Sequence, residues 1–169
     1  MRLPLSFFRR DTVTVARELI GKRLIRVFDD GSVFSARITE VEAYCGIEDL
    51  ACHASKGRTP RTEVMFAAGG LVYVYFIYGM YWMLNFVTGK KDEAGAVLIR
   101  GVEGIDGPGR LGRTLKLDRS FYSEDMQSSS RLWVENDKPL DFVATPRIGI
   151  QSAGEPWVSK NWRFILKDT

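Results

Sequence analysis

The sequence predicts an α+β fold: a single mixed domain over residues 1–169, with a curved, mainly antiparallel β-sheet flanked by helices and a protruding β-hairpin. Three observations predict it. Short runs rich in β-branched and aromatic residues recur along the chain and are punctuated by turn residues. Helical periodicity is confined to two segments, residues 11–21 and 107–119. There is no repeat, low-complexity tract or break in composition, and 169 residues suffice to bury one core without disulfide or metal staples.

Residues 11–21, "DTVTVARELIG", read as a helix. Asp11 suits the N-cap, Val15, Ala16, Leu19 and Ile20 share a face, and Gly21 is placed to end it. "KRLIRVF" reads as a strand, "DDG" as a turn, and "SVFSARITEVEAY" as the hairpin partner, with Asp30-Gly31 suited to a tight reversal. This second strand is expected to end on Glu42, with Tyr44 following on the same face. A carboxylate beside an aromatic on a half-buried strand either costs solvation for nothing or builds a site.

Residues 45–70 form a long connection punctuated by Gly46, Gly57, Pro60, Gly69 and Gly70. Such loops inside compact domains are usually functional or disordered. This one holds His53, the only histidine, and the cations Lys56, Arg58 and Arg61. The uncharged stretch Leu71–Gly89 has the length of a marginal membrane span, but its four tyrosines, its Asn and its central Gly79 favour two strands joined by a tight turn. "AGAVLIR" is a further strand, ending on Arg100. In "GPGRLGRTLKLDR" a helix would sweep Arg110, Arg113, Lys116 and Arg119 over one half of its circumference and Leu111 and Leu115 over the other. "SEDMQSSS" reads as a loop, and "RLWVEND", "RIGIQSAG" and "WRFIL" as short strands closing the sheet.

A net charge of +3 and a pI near 8.9 permit a polyanionic partner without demanding one. The start, "MRLPLSFFRRD", lacks the pattern of a signal peptide, so the expectation is a cytoplasmic protein with no membrane partner; a monomer is expected as well. Cys45 and Cys52 are too few for a disulfide framework. With Glu42 and His53 they match no common zinc spacing, so neither metal nor cofactor is expected.

Taken singly, a Glu at a strand end, a lone His and an aromatic run all have ordinary structural explanations. Taken in order, "VEAYCGIEDLACH", "GRTPRTEVMF", "LVYVYFIYGMYWMLN", "VLIRGVE" and "RIGIQSAGEPW" closely resemble the alkyladenine (3-methyladenine) DNA glycosylase family. The resemblance runs from "LSFFRRDTVTVARELIGKRL" to "WRFI". It implies an enzyme that removes alkylated or deaminated purines from double-stranded DNA without metal or cofactor. The substrates implied are 3-methyladenine, 7-methylguanine, hypoxanthine and etheno-adenine.

By the same resemblance, Glu42 is the general base that activates water, and Arg100 and the main-chain carbonyl of Ile148 help hold that water. Tyr44, His53 and Tyr75 enclose the flipped base, and Asn85 screens against guanine. Tyr78, with Met80 beside it, enters the minor groove, and Arg61 meets the DNA backbone; the basic clusters themselves add Arg58, Arg110 and Arg113 as expected backbone contacts. A DNA substrate would place the protein at the nucleoid in a bacterium or in the nucleus of a eukaryote. No lysine falls in a motif position, which speaks against a Schiff-base lyase step. The chemistry is coherent: a wedge offsets unstacking, tyrosines attract a cationic purine, and a carboxylate both stabilises positive charge on the sugar and takes a proton from water.

Two other classes share parts of this pattern. A non-catalytic nucleic-acid-binding module needs only the basic clusters and aromatics, but gains nothing from Glu42. A zinc-dependent base deaminase using Cys45, Cys52 and His53 would need a His-x-Glu and Pro-Cys-x-x-Cys signature that is absent.

Overall fold

A single 13-residue strand, β2 (Val33–Cys45), organises the computed structural model, which describes residues 1–167. Its first half pairs with β1 (Arg23–Val27), from Arg23↔Arg37 to Val27↔Val33, across the Asp30-Gly31 turn. Its second half pairs with β5 (Gly95–Val102) on one side and β9 (Arg163–Leu166) on the other. Because β2 changes partners midway, the sheet curls. The hairpin of β3 (Val72–Ile77) and β4 (Tyr81–Thr88) extends it beyond β5, and β7 (Leu132–Glu135) closes the other edge against β1. Two short strands complete it: β6 (Ile105–Asp106) turns back on β5, and β8 (Phe142–Thr145) pairs with β9. Every pairing is antiparallel.

The short helix α1 (Leu5–Phe8) precedes α2 (Thr12–Leu19), whose cap is as expected: the Thr14 amide donates to Asp11 at 3.0 Å. Val15, Ala16 and Leu19 of α2 are fully buried against Ile38, Val41, Phe86, Ile99 and Phe164 of the sheet. Among the described residues no helix is long and apolar enough to cross a membrane. The uncharged stretch after Leu71 is the β3–β4 hairpin.

Several elements differ from the sequence reading. β2 does not end on Glu42 but runs three residues further, so Glu42 lies inside the ladder opposite Leu98. The segment 45–70 holds two 3₁₀ helices, His53–Lys56 and Glu63–Phe66, around a small second core of Cys52, Ala54, Val64, Met65, Phe66 and Tyr73. Helix α3 (Pro108–Thr114) stops before Lys116, which takes φ = 53°, so Arg119 belongs to a separate 3₁₀ turn and no single cationic helix face exists. The stop is tied down by buried Arg26, whose Nε donates to the Leu115 carbonyl at 2.8 Å. "RIGIQSAG" is not a strand but a loop and a 3₁₀ turn, Gln151–Ala153, with Gly149 and Gly154 at positive φ; the strand of this region is β8, before it.

Candidate active site

The site begins with a fault in the β2–β5 ladder. The register passes from Ile38↔Val102 to Glu40↔Gly101 and then to Val41↔Ile99, skipping Thr39 on β2 and Arg100 on β5. An extra residue inverts the alternation of everything beyond it. Before the fault Ala36 and Ile38 face the main core; after it Val41 and Ala43 do. Glu40, Glu42 and Tyr44 are thereby turned to the opposite face.

There Glu42 is fully buried. The Tyr44 hydroxyl donates to its Oε1 at 2.7 Å, and the Ile148 amide donates to its Oε2 at 2.7 Å. Nη1 of Arg100 lies 3.7 Å from Oε1. The Arg100 guanidinium is aimed by Glu40, whose Oε2 accepts from Arg100 Nε at 3.0 Å and from Arg163 Nε at 2.7 Å. Burial, and then the Glu42 charge and hydrogen bond, push the Tyr44 phenol far above its ordinary pKa, so it remains a donor. Two donors and an adjacent guanidinium make the buried carboxylate tolerable as an anion.

Beside this group opens a cavity of about 430 Å³ lined by Tyr44, His53, Tyr73, Tyr75, Tyr78, Tyr81, Asn85, Ala96, Leu98, Arg100 and Ile148, among others. Its volume lies in the small-molecule range. Glu42 is not part of the lining, but Tyr44, Arg100 and Ile148 are, so the carboxylate lies one side chain behind the cavity surface. The Asn85 amide is buried and donates to the Tyr73 carbonyl at 3.2 Å. His53 packs edge-on to Tyr75, with ring centroids 4.6 Å apart, and its Nδ1 shares a 2.9 Å hydrogen bond with the Tyr73 hydroxyl.

Burial, then the charges of Arg61 and Lys56, push the His53 imidazole down from 6.5 to about 4, and burial pushes the Tyr75 phenol up to about 12. A folded-state value below the unfolded one means that the unfolded chain takes up the proton first. The stability linked to His53 is therefore present above about pH 6.5 and is lost as pH falls towards 4. Because His53 is the only histidine, its imidazole resonance can be followed by NMR without assignment. The expected midpoint is near 4, with a melting temperature that declines over the same window. A midpoint above 6 would place the ring in water.

The hairpin tip carries Tyr78, 81% exposed, and Met80, 53% exposed. Tyr78 and Gly79 both take positive φ, 55° and 65°, and the Met80 amide closes the turn on the Ile77 carbonyl at 3.2 Å. This double left-handed geometry is that of a type I′ turn, whose first central position favours Asn, Asp or Gly. A tyrosine there is strained, and such strain concentrates at functional sites.

The arginines divide. Arg58 is held by Glu63 at 3.0 Å and by Asp92, and lies over Phe66. The Arg61 guanidinium is 5.1 Å from the Tyr75 ring centre, at the cavity. Arg110 and Arg113 are exposed on α3, and Arg113 lies 5.0 Å from the Tyr81 ring. Two glycines bring α3 against the hairpin: a Cβ on Gly109 would come 2.8 Å from the Tyr81 ring, and one on Gly112 would collide with the Trp82 carbonyl. Among the described residues no group of three His, Cys, Asp or Glu could hold a metal ion.

The sequence reading missed Glu40, Asp49, Tyr73 and Arg147. Glu40 was within reach, since it precedes Glu42 by one strand repeat. Arg147 and Asp49, fully buried and paired at 2.6 Å, carry no sequence signal, because 98 positions separate them.

The chain matches the family described as methylpurine-DNA glycosylase over residues 6–107 and 103–169. It is 44% identical to a Legionella pneumophila (strain Corby) protein, over 99% of this chain and 95% of the relative. A Wolbachia sp. subsp. Brugia malayi protein is 47% identical over 97% of this chain and 96% of its own length, and one from Borrelia garinii subsp. bavariensis is 44% identical over 96% and 94%. All three are named, provisionally, 3-methyladenine DNA glycosylase. With matches over essentially its whole length, the chain belongs to the methylpurine-DNA glycosylase family.

Proposed function

We propose that this protein excises alkylated or deaminated purines, of the 3-methyladenine, 7-methylguanine, hypoxanthine and etheno-adenine type, from double-stranded DNA. It rotates the damaged nucleotide into the aromatic cavity and hydrolyses the N-glycosidic bond with water activated by Glu42, leaving an abasic site. The observation that carries this reading is the buried Glu42 carboxylate, held by Tyr44, Ile148 and Arg100 directly behind an aromatic cavity.

Tyr44, Tyr73 and Tyr75, whose phenols burial keeps neutral at physiological pH, suit a purine made cationic or electron-poor by alkylation. As the bond to the base lengthens, positive charge develops on the sugar, and a carboxylate one side chain away stabilises it. Glu42 accepts one hydrogen bond on each oxygen, from Tyr44 and from Ile148, and a carboxylate keeps further acceptor positions, so the nucleophilic water reaches it past the Tyr44 and Arg100 side chains that line the cavity. Tyr78, held outward by the turn, fills the space left in the duplex, and the exposed Arg61, Arg110 and Arg113 meet phosphates. Arg58, neutralised by two carboxylates, contributes least.

The test is incubation with duplex oligonucleotides bearing each lesion or an undamaged purine, followed by alkaline cleavage of abasic sites. Strand breaks at one or more lesions and none at undamaged purines are expected. Tight binding to every lesion without any break would overturn the reading in favour of a binding module.

A further inference from the structure

The buried pair Arg147–Asp49 takes no part in the chemistry described so far. Both side chains are completely inaccessible. Arg147 Nη1 donates to Asp49 Oδ2 at 2.6 Å, and Nη2 donates to Oδ1 at 3.0 Å. The same Nη1 donates to the carbonyl of Ala43, the residue between Glu42 and Tyr44, at 2.9 Å. Asp49 in turn accepts from the amides of Cys45 at 2.9 Å and Ala51 at 3.1 Å. The guanidinium also lies between two rings, 4.9 Å from Tyr44 and 5.0 Å from Trp162. One ion pair thus ties together the end of β2, the loop after it and the loop after β8. The residue next to Arg147 is Ile148, whose amide is one of the two donors on Glu42.

A fully buried ion pair is a poor device for stability alone, because desolvating two charges offsets their attraction, and apolar residues of similar size often serve as well. This pair is also imperfect, since Arg147 Nε is buried with no acceptor. What an apolar pair could not supply is direction: a forked cation bonded to the Ala43 carbonyl fixes where the next peptide unit points.

We propose that Arg147 is a positioning residue for hydrolysis: paired with Asp49, it holds the Ile148 peptide on the Glu42 carboxylate and so sets the geometry of the general base. This rests on the hydrolytic reading of Glu42 given above. Two variants test it. Arg147→Lys keeps the charge opposite Asp49 but loses the fork. The double variant Arg147→Met/Asp49→Leu removes both charges and leaves neither buried alone. Each preserves the net charge of the pair, so neither changes the field on Glu42 by a whole charge.

Single-turnover excision by both is expected to fall by about 100-fold, the scale of a displacement near 1 Å at a catalytic centre. The dissociation constant for lesion duplex should stay near that of the parent. The acidic limb of the pH–rate profile should move to higher pH, because a carboxylate that loses an N–H donor is more easily protonated. The other groups facing Glu42 are unaltered in both variants: Glu40 and Tyr44 on β2, Arg100 on β5, Arg163 opposite it on β9, and Tyr75 on β3. Arg147 also lies over the Tyr44 ring, so a shifted limb reports the two donors on Glu42 that it positions, the Ile148 amide along the chain and the Tyr44 hydroxyl through its ring.

Parent-like rates and limbs in both variants would overturn the proposal, whatever happens to the melting temperature. So would a loss of excision that merely parallels loss of folded protein and of lesion binding. Should the parent itself fail to excise any lesion, it is the hydrolytic reading that falls, which the parent assay alone decides.

Discussion

Replacing Glu42 by Gln is expected to abolish base release while leaving both the fold and lesion binding nearly intact. The site can accept the amide. The Ile148 N–H can only donate, so the Gln oxygen should turn towards it; the NH₂ then faces the Tyr44 hydroxyl, which can rotate to accept. Arg100 loses a carboxylate at 3.7 Å but keeps its 3.0 Å bond to Glu40. The Tyr44 proton then turns from residue 42 towards the cavity that its ring lines, so the melting temperature should move by only a few degrees, the response to ~1 kcal/mol in a chain of this size. What disappears is the proton acceptor and the negative charge, and removing a general base costs ~10²–10⁴-fold in rate. Single-turnover excision from a lesion duplex, beside a binding isotherm for the same duplex, separates the two effects. A rate equal to the parent's would remove Glu42 from the mechanism.

The second large effect is expected at the hairpin tip. Tyr78→Ala should fold normally yet lose most excision from duplex, on the order of 10–100-fold, since the side chain offsets an unstacking cost of a few kcal/mol. The loss should be smallest where the lesion already sits in a mismatch, because an unpaired base leaves the stack more readily. The backbone sharpens the test. At φ = 55° the position is one that Asn adopts at less cost than Tyr, so Tyr78→Asn should melt at or above the parent temperature while flipping as poorly as the Ala variant. Stability and activity would then move in opposite directions, as they do where strain is kept for function. An etheno-adenine reporter follows flipping by fluorescence. Equal impairment on paired and mispaired lesions, or a sharply lowered melting temperature, would return Tyr78 to a structural role.

Much of the architecture was legible because its causes are local. The Asp11 cap, the Asp30-Gly31 turn and the bend at Gly79 each depend on a few adjacent residues, and all three lie where the sequence puts them. The helix after Gly107 was legible only at its start. Pro108 opens it, but its end is set by Arg26, from a strand far earlier in the chain, on the Leu115 carbonyl.

The site divides in the same way. Sequence by itself determined that Glu42 and Tyr44 share a face, that the aromatics of 71–89 form a hairpin, and, through ordered motifs, which family the chain belongs to. Only the tertiary structure decided which face that is. The alternation of Ala36 and Ile38 would have carried Glu42 and Tyr44 into the apolar core, and the skipped residues Thr39 and Arg100 turn them towards the cavity instead. Only the tertiary structure, likewise, brings Ile148 to Glu42 and Arg147 to Asp49, across 106 and 98 positions of chain. Alternation is a property of one strand's own backbone, whereas the face it presents and the partners it meets depend on the register of a ladder built with distant segments.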